Sequence, residues 1–163
     1  MTLPKRKWLN HETPLDVENP DFFITLNCRP RGINHLCKPE IANVILEAVS
    51  LRHENYTWYV WGFVLMPDHL HAVVSPGART GLKNSVADFK RWVAGKTGVK
   101  WQKGFFDHRI RSFSYLNAYC EYLAQNPVRA GLVKQVNEWP YYFEGSVRTG
   151  RRPVPTKAFA PQL

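Results

Sequence analysis

From Thr57 to Val74 the chain is almost wholly aromatic, β-branched or otherwise apolar. It is interrupted once, by Met66-Pro67-Asp68. Such composition favours strands, and the Pro-Asp step supplies a turn, so the segment predicts two strands joined by a tight connection. Directly after the turn stand His69, Leu70 and His71. Residues i and i+2 of a strand share a face, so the two imidazoles project side by side while Leu70 turns away. Paired imidazoles are half of a site for a divalent metal. They are equally two polar residues on a half-solvated face. A third ligand and any nucleophile have to come from elsewhere in the chain.

The surrounding pattern predicts the rest of the fold. Asp21 to Asn27 reads as a first strand, ended by Arg29-Pro30-Arg31-Gly32. Pro39 opens a helix in which Ile41, Val44, Ile45, Ala48 and Val49 recur at helical spacing. A second helix carries Leu82, Val86, Phe89 and Val93 as one stripe and ends at Gly95 or Gly98. Gly104 to Arg111 reads as a fourth strand. A last helix starts near Ser112 or Ser114 and runs to about Gln125. The order β-α-β-β-α-β-α predicts an α+β fold of the ferredoxin-like split βαβ type. That is a four-stranded antiparallel sheet with two helices on one face, followed by an extra helix. One domain is expected over residues 1–163, with a core from about 20 to 139 and an irregular tail from about 140 to 163.

Composition sets the kind of partner. The 163 residues carry a net charge of +9, which points to a polyanion. No apolar run is long enough for a membrane span, and the first residues lack the apolar core of a signal peptide. A cytoplasmic protein without a membrane partner is expected. Cys28, Cys37 and Cys120 are too few and too irregular for a disulfide framework. Cys28, His35 and Cys37 match no common zinc spacing.

On the last helix Tyr115, Tyr119, Tyr122 and Asn126 step by four, three and four, forming one stripe. Leu116, Cys120 and Leu123 form a neighbouring apolar stripe that can face the core. Aromatic stripes of this kind usually pack, and Asn126-Pro127 can simply punctuate two helices. Joined to the histidines they acquire a chemistry. Two imidazoles and the Asn126 amide oxygen can hold Mg²⁺ or Mn²⁺ with positions open for a phosphate. A tyrosine beside that metal can attack phosphorus. Tyr122 lies one turn before Asn126, so one helix face carries nucleophile and ligand together. Tyr119 has Leu123 at that offset and is the weaker candidate.

Here the sequence resembles a known family. Met66-Pro67-Asp68-His69-Leu70-His71 resembles the histidine–hydrophobic–histidine signature of the single-tyrosine, or HUH, transposases. Tyr122 to Val133 is similar to the tyrosine helix of their REP-associated branch, and so is Trp101 to Arg111. The likeness spans roughly residues 20 to 145. It implies a metal-dependent enzyme that cleaves single-stranded DNA and passes it to a new hydroxyl. His69 and His71 would bind the metal, Tyr122 would form a 5′-phosphotyrosine, and Asn126 would be the third ligand. That last position is commonly Gln in mobile insertion-sequence enzymes, so Asn126 favours the REP-associated branch. The resemblance further implies a nucleoid-associated protein that recognises REP-like hairpins. A monomer is expected, with the helix-exchanged dimer of insertion-sequence relatives as the alternative and the C-terminal tail over the site.

The DNA-binding candidates are Arg29, Arg31, Lys83, Lys90, Arg91, Arg109, Arg111 and Arg129, with Trp92 and Trp101 interleaved. Cations along a backbone with aromatics between them are how single strands are usually held. Two other readings remain open: a non-catalytic single-stranded nucleic-acid-binding module of ferredoxin-like fold, and a phosphodiesterase in which water attacks.

Overall fold

The computed structural model describes residues 20–55 and 57–144, apart from the side chains of Phe113 and Glu144. Five strands and three α-helices follow one another: β1 (Asp21–Asn27), α1 (Pro39–Glu54), β2 (Trp58–Leu65), β3 (His69–Pro76), α2 (Gly81–Thr97), β4 (Phe106–Ile110), α3 (Phe113–Arg129) and β5 (Tyr142–Glu144). They form one antiparallel sheet in the order β4-β1-β3-β2-β5. The expected four-stranded sheet is therefore corrected to five strands. The fifth comes from the segment read as an irregular tail. Its three residues are too short to show a period of two, and its place depends on tertiary contacts. Trp139 Nε1 donates to the Leu65 carbonyl at 3.0 Å, and the Leu65 amide donates to the Tyr141 carbonyl at 2.9 Å. The rest of the expected tail, residues 145–163, lies outside the described residues.

Strand alternation sorts the side chains into two cores. Phe22, Ile24 and Leu26 of β1 and Leu70, Ala72 and Val74 of β3 face α1 and α2. The opposite face carries α3, packed through Leu116, Tyr119, Cys120 and Leu123 onto Tyr59, Trp61, Val64 and Val73. Burying such side chains contributes roughly 1.5–3 kcal/mol each, which fixes the register of every strand that supplies one. Asp21, Phe23, Thr25 and Asn27, and likewise His69 and His71, are thereby committed to the α3 face.

β2 breaks its alternation once. Its pairing with β3 shifts between Val60 and Gly62, so Trp61 and Gly62 both turn toward α3. A β-carbon at Gly62 would sit 3.0 Å from Leu123 Cδ1 and 3.3 Å from Cys120 Sγ. Gly62 is thus a point of close approach between α3 and the sheet.

α3 is longer than expected. Ser112 caps it, accepting from the Tyr115 amide, and Pro127 lies inside it rather than beyond its end. The helix closes at Gly131, whose φ of 71° lets its amide and that of Leu132 reach back to the carbonyls of Val128 and Pro127. α2 likewise runs past Gly95 and stops at Gly98, in the left-handed region. Gly62→Val should force α3 away from β2 and lower stability by about 1–3 kcal/mol, with Gly62→Ala milder; denaturant unfolding measures both.

Candidate active site

β1 and β3 bring the site together. In their register Thr25 faces His71 and Asn27 faces His69. The two imidazoles lie with ring centroids 4.7 Å apart, edge to face. Each is held through the same nitrogen. Asp68 Oδ1 is 2.7 Å from His69 Nδ1, and Thr25 Oγ1 is 2.7 Å from His71 Nδ1. When Nδ1–H donates to these oxygens, both Nε2 atoms keep their lone pairs for a cation.

Electrostatics agrees with neutral imidazoles. Burial pulls His71 down to about 3, and the neighbouring His69 and Arg31 charges act in the same sense. Burial also lowers His69, although the Asp68 carboxylate pulls the other way. Partial burial alone would raise Asp68. Hydrogen bonds from the Gly32 amide and His69, with the Arg31 charge, outweigh that and hold it below the usual carboxylate range. The Gly32 amide donates to Asp68 Oδ2 at 2.7 Å, and Arg31 Nε lies 3.2 Å from the same oxygen. Arg31 also donates to Asn27 Oδ1. The loop after β1 thus locks the carboxylate that orients His69.

α3 supplies the remaining groups. Tyr119 is buried and stacks on Phe23 with centroids 4.8 Å apart; burial raises its phenol. Tyr115 is 43% exposed at the outer edge of the helix. Tyr122 is half-buried, its ring centroid 6.0 Å from that of His71 and 5.8 Å from that of Phe23. Of the three phenols on the stripe, Tyr122 is the one whose ring meets an imidazole of the pair. The Arg129 guanidinium sits 5.3 Å above its ring. One turn on, the Asn126 amide nitrogen donates to the Tyr122 carbonyl at 3.0 Å. That bond orients the amide and leaves Oδ1 as its acceptor. Among the described residues no trio of His, Cys, Asp or Glu is arranged for a metal. The metal-binding donors that the described contacts bring together are the two imidazoles, each with its Nε2 left unused by these bonds.

The expected DNA contacts separate into groups. Arg29 and Arg31 are exposed on the loop beside Asp68, and Arg129 lies over Tyr122. Lys83 and Arg91 are exposed on α2, on the far side of the sheet. Arg109 pairs in register with Phe22 and so shares the α1 and α2 face, while Arg111 is exposed between β4 and α3. Lys90 is engaged within the fold: its ammonium donates at 2.7 Å to the carbonyls of Gln102 and of Gly104. The zinc pattern around Cys28 gains nothing: among the described residues no trio of His, Cys, Asp or Glu is arranged for a metal, and burial pushes the thiols of Cys28 and Cys37 up to about 12. His35 Nε2 is spent on the Pro30 carbonyl at 2.9 Å.

Two residues that hold the site went unnoticed in the sequence. Thr25 anchors His71. Phe23 stacks on His71 at 5.3 Å and touches both Tyr119 and Tyr122. Their signal was the alternation within β1, which sets Phe23 and Thr25 on the face opposite Phe22, Ile24 and Leu26.

Thr25→Val leaves the buried His71 nitrogen without its partner and should cost about 1–3 kcal/mol in denaturant unfolding. His71 also makes stability pH-dependent. Its folded value lies below the ordinary one, so between about 3 and about 6.5 the unfolded chain binds more protons, and stability falls as pH is lowered through that window. The unfolding midpoint of His71→Gln should drop less on acidification than that of the unaltered chain.

Comparison with known proteins bears out the resemblance. No protein-family model matches the chain. The REP-associated tyrosine transposase of Escherichia coli K12 is 25% identical over 142 residues, covering 85% of both chains. A Haemophilus influenzae protein named for the same family is 25% identical over 138 residues, covering 74% of this chain and 77% of its own. A solved structure of a REP-associated tyrosine transposase bound to a REP hairpin superposes with a TM-score of 0.66. It is 20% identical and covers 97% of this chain and 100% of that one, so the two share a fold. Among the described residues no helix is long and apolar enough to cross a membrane.

Proposed function

We propose that this chain is a metal-dependent single-stranded DNA endonuclease and strand transferase that recognises REP-like hairpins and cleaves through a 5′-phosphotyrosine. The observation that carries the reading is the meeting of Tyr122 with the His69/His71 pair within one chain, on a scaffold resembling REP-associated tyrosine transposases. The first six elements are read as a ferredoxin-like split βαβ unit, supported by the strand order β4-β1-β3-β2 with helices α1 and α2 on one face.

Nε2 of His69, Nε2 of His71 and Oδ1 of Asn126 would hold Mn²⁺ or Mg²⁺, which when bound polarises a phosphodiester and stabilises charge on its oxygens. The chain's own groups do the rest. Tyr122 Oη forms a bond to phosphorus as the bond from phosphorus to the 3′ oxygen breaks. The phenol gives up its proton and the departing 3′ oxygen takes one up, so a free 3′ hydroxyl and a 5′-phosphotyrosine result. The ester keeps the energy of the broken linkage, which lets another 3′ hydroxyl reverse the step on a new strand. Arg129 lies over the Tyr122 ring, where its charge can meet a phosphate of a bound strand. Phe23 and the packed face of α3 fix the ring's approach. Such a protein belongs with the chromosome, in keeping with the expected cytoplasmic, nucleoid-associated location.

The test is incubation with Mn²⁺ or Mg²⁺ and labelled single-stranded DNA carrying REP-type hairpins, resolved on a denaturing gel. A covalent adduct should form, vanish in Tyr122→Phe and in His69→Ala, and persist in Tyr119→Phe. Cleavage without an adduct would make water the nucleophile. Binding without cleavage under either metal would leave a nucleic-acid-binding module.

A further inference from the structure

Two residues of β1 stand opposite the imidazole pair. Register sets Thr25 against His71 and Asn27 against His69, and directly paired residues share a face with β-carbons about 5 Å apart. Thr25 spends its hydroxyl on His71 Nδ1. Asn27 makes no such bond to His69, whose Nδ1 already meets Asp68. Its side-chain oxygen instead accepts from Arg31. A guanidinium can only donate, so Oδ1 is the end of the amide turned to Arg31 and Nδ2 is the end turned away. Among the described residues no acceptor engages Nδ2. Half-buried Asn27 thus holds unspent N–H groups beside the imidazole whose Nε2 is open.

The rest of Asn27 is held in place. The Gln102 amide donates to the Asn27 carbonyl at 2.8 Å, and the Cys28 amide donates to the Asp68 carbonyl at 2.8 Å. The end of β1 is thereby tied to the loop before β4 and to the turn before β3. Arg31 Nε lies 3.2 Å from Asp68 Oδ2, and Asp68 Oδ1 is 2.7 Å from His69 Nδ1. One guanidinium therefore sets both the Asn27 amide and the carboxylate that orients His69. Its charge also polarises the amide it donates to, which strengthens Nδ2–H as a donor. A fixed donor beside a cation suits a ligand that accepts hydrogen bonds and carries negative charge.

We infer that Asn27 is a further catalytic residue, whose Nδ2 donates to a non-bridging oxygen of the phosphate that Tyr122 attacks. This rests on the proposed DNA-cleaving function and adds to that site a group that neither attacks nor binds metal. The non-bridging oxygens of a phosphodiester accept and never donate, which matches Nδ2. Charge on them as Tyr122 Oη bonds to phosphorus is met by a donor already in position. A base edge is the poorer fit. Asparagine reads adenine through paired bonds from both ends of its amide, and here Oδ1 is already spent on Arg31. Arg31 acts through Asn27 and Asp68, as a positioning residue.

The experiment pairs side-chain and phosphate changes. The probe is a fluorescein-labelled REP-type DNA hairpin with single-stranded flanks, in which one linkage at a time is a neutral methylphosphonate. Affinity is read by anisotropy in EDTA, and adduct formation on a denaturing gel once Mn²⁺ is supplied. The proteins are the unaltered chain, Asn27→Ala and Asn27→Asp. Asn27→Asp keeps an acceptor for Arg31 and removes the donor, so it carries the test even if Asn27→Ala melts early. On the unmodified probe both variants should bind about tenfold more weakly and form adduct about a hundredfold more slowly at saturating DNA. One methylphosphonate position should cost the unaltered chain about tenfold in affinity, and it should be the linkage that is cleaved. The same change should cost Asn27→Ala little further and should strengthen binding by Asn27→Asp, since two anions no longer face each other. If Asn27→Asp behaves like the unaltered chain, Asn27 only holds Arg31 and the inference falls. Equal losses at every position in all three proteins, or coupling at a linkage that is not the cleaved one, overturn it too. Adduct without coupling leaves the proposed function standing without Asn27. Coupling in a protein that forms no adduct supports the contact while sinking the phosphotyrosine chemistry, so the two failures are told apart.

Discussion

The tyrosine helix can lie on the sheet only because β2 offers it no side chain at Gly62. Leu123 and Cys120 fill that space, and a β-carbon there would meet them at 3.0 and 3.3 Å. The register shift between Val60 and Gly62 turns Gly62 toward α3. Close packing transmits small displacements, so the seating of α3 sets where every group on the helix stands. Tyr122 is one residue from Leu123. Its position relative to His71 is therefore fixed by a contact on another strand, not by any polar bond of its own ring.

The histidine side of the site is fixed differently, by hydrogen bonds that reach outward. Asp68 holds His69, and the Gly32 amide and Arg31 hold Asp68. Thr25 holds His71. Every one of these contacts uses Nδ1 or lies behind it. Phe23 joins the two halves by packing one ring against His71, Tyr119 and Tyr122. Replacing the hydrogen-bonding groups should loosen the imidazoles without moving the helix, whereas crowding Gly62 should move the helix without touching the imidazoles.

Much of this was legible in the sequence, because period-two and period-3.6 patterns are local. The Asp21–Asn27 strand, the helix opening at Pro39, and the shared face of His69 and His71 follow from side-chain direction alone. So does the placing of Tyr122 and Asn126 on one helix face. The resemblance in the histidine and tyrosine motifs supplied the roles that spacing left open. What stayed hidden depends on contacts between distant segments. β5 is too short to carry a pattern and pairs with β2 only after α3 has returned the chain. Pro127 reads as a helix stop, yet it sits inside α3, which runs to Arg129 and is closed off by Gly131. Lys90 looks like a surface cation until the loop before β4 folds against it. Thr25 is an unremarkable strand residue until β3 pairs alongside.

In the proposed reading one chain builds the whole site, with Tyr122 on α3 beside His71 of its own β3. The most direct measurement mixes two inactive variants, Tyr122→Phe and His71→Ala, with labelled hairpin DNA and Mn²⁺, and reads covalent adduct against the unaltered chain. Adduct is expected with the unaltered chain and none with the mixture, because neither variant retains both halves of the site. Adduct restored by mixing would mean that the tyrosine helix serves a partner's histidines. No adduct even with the unaltered chain would contradict the tyrosine chemistry itself.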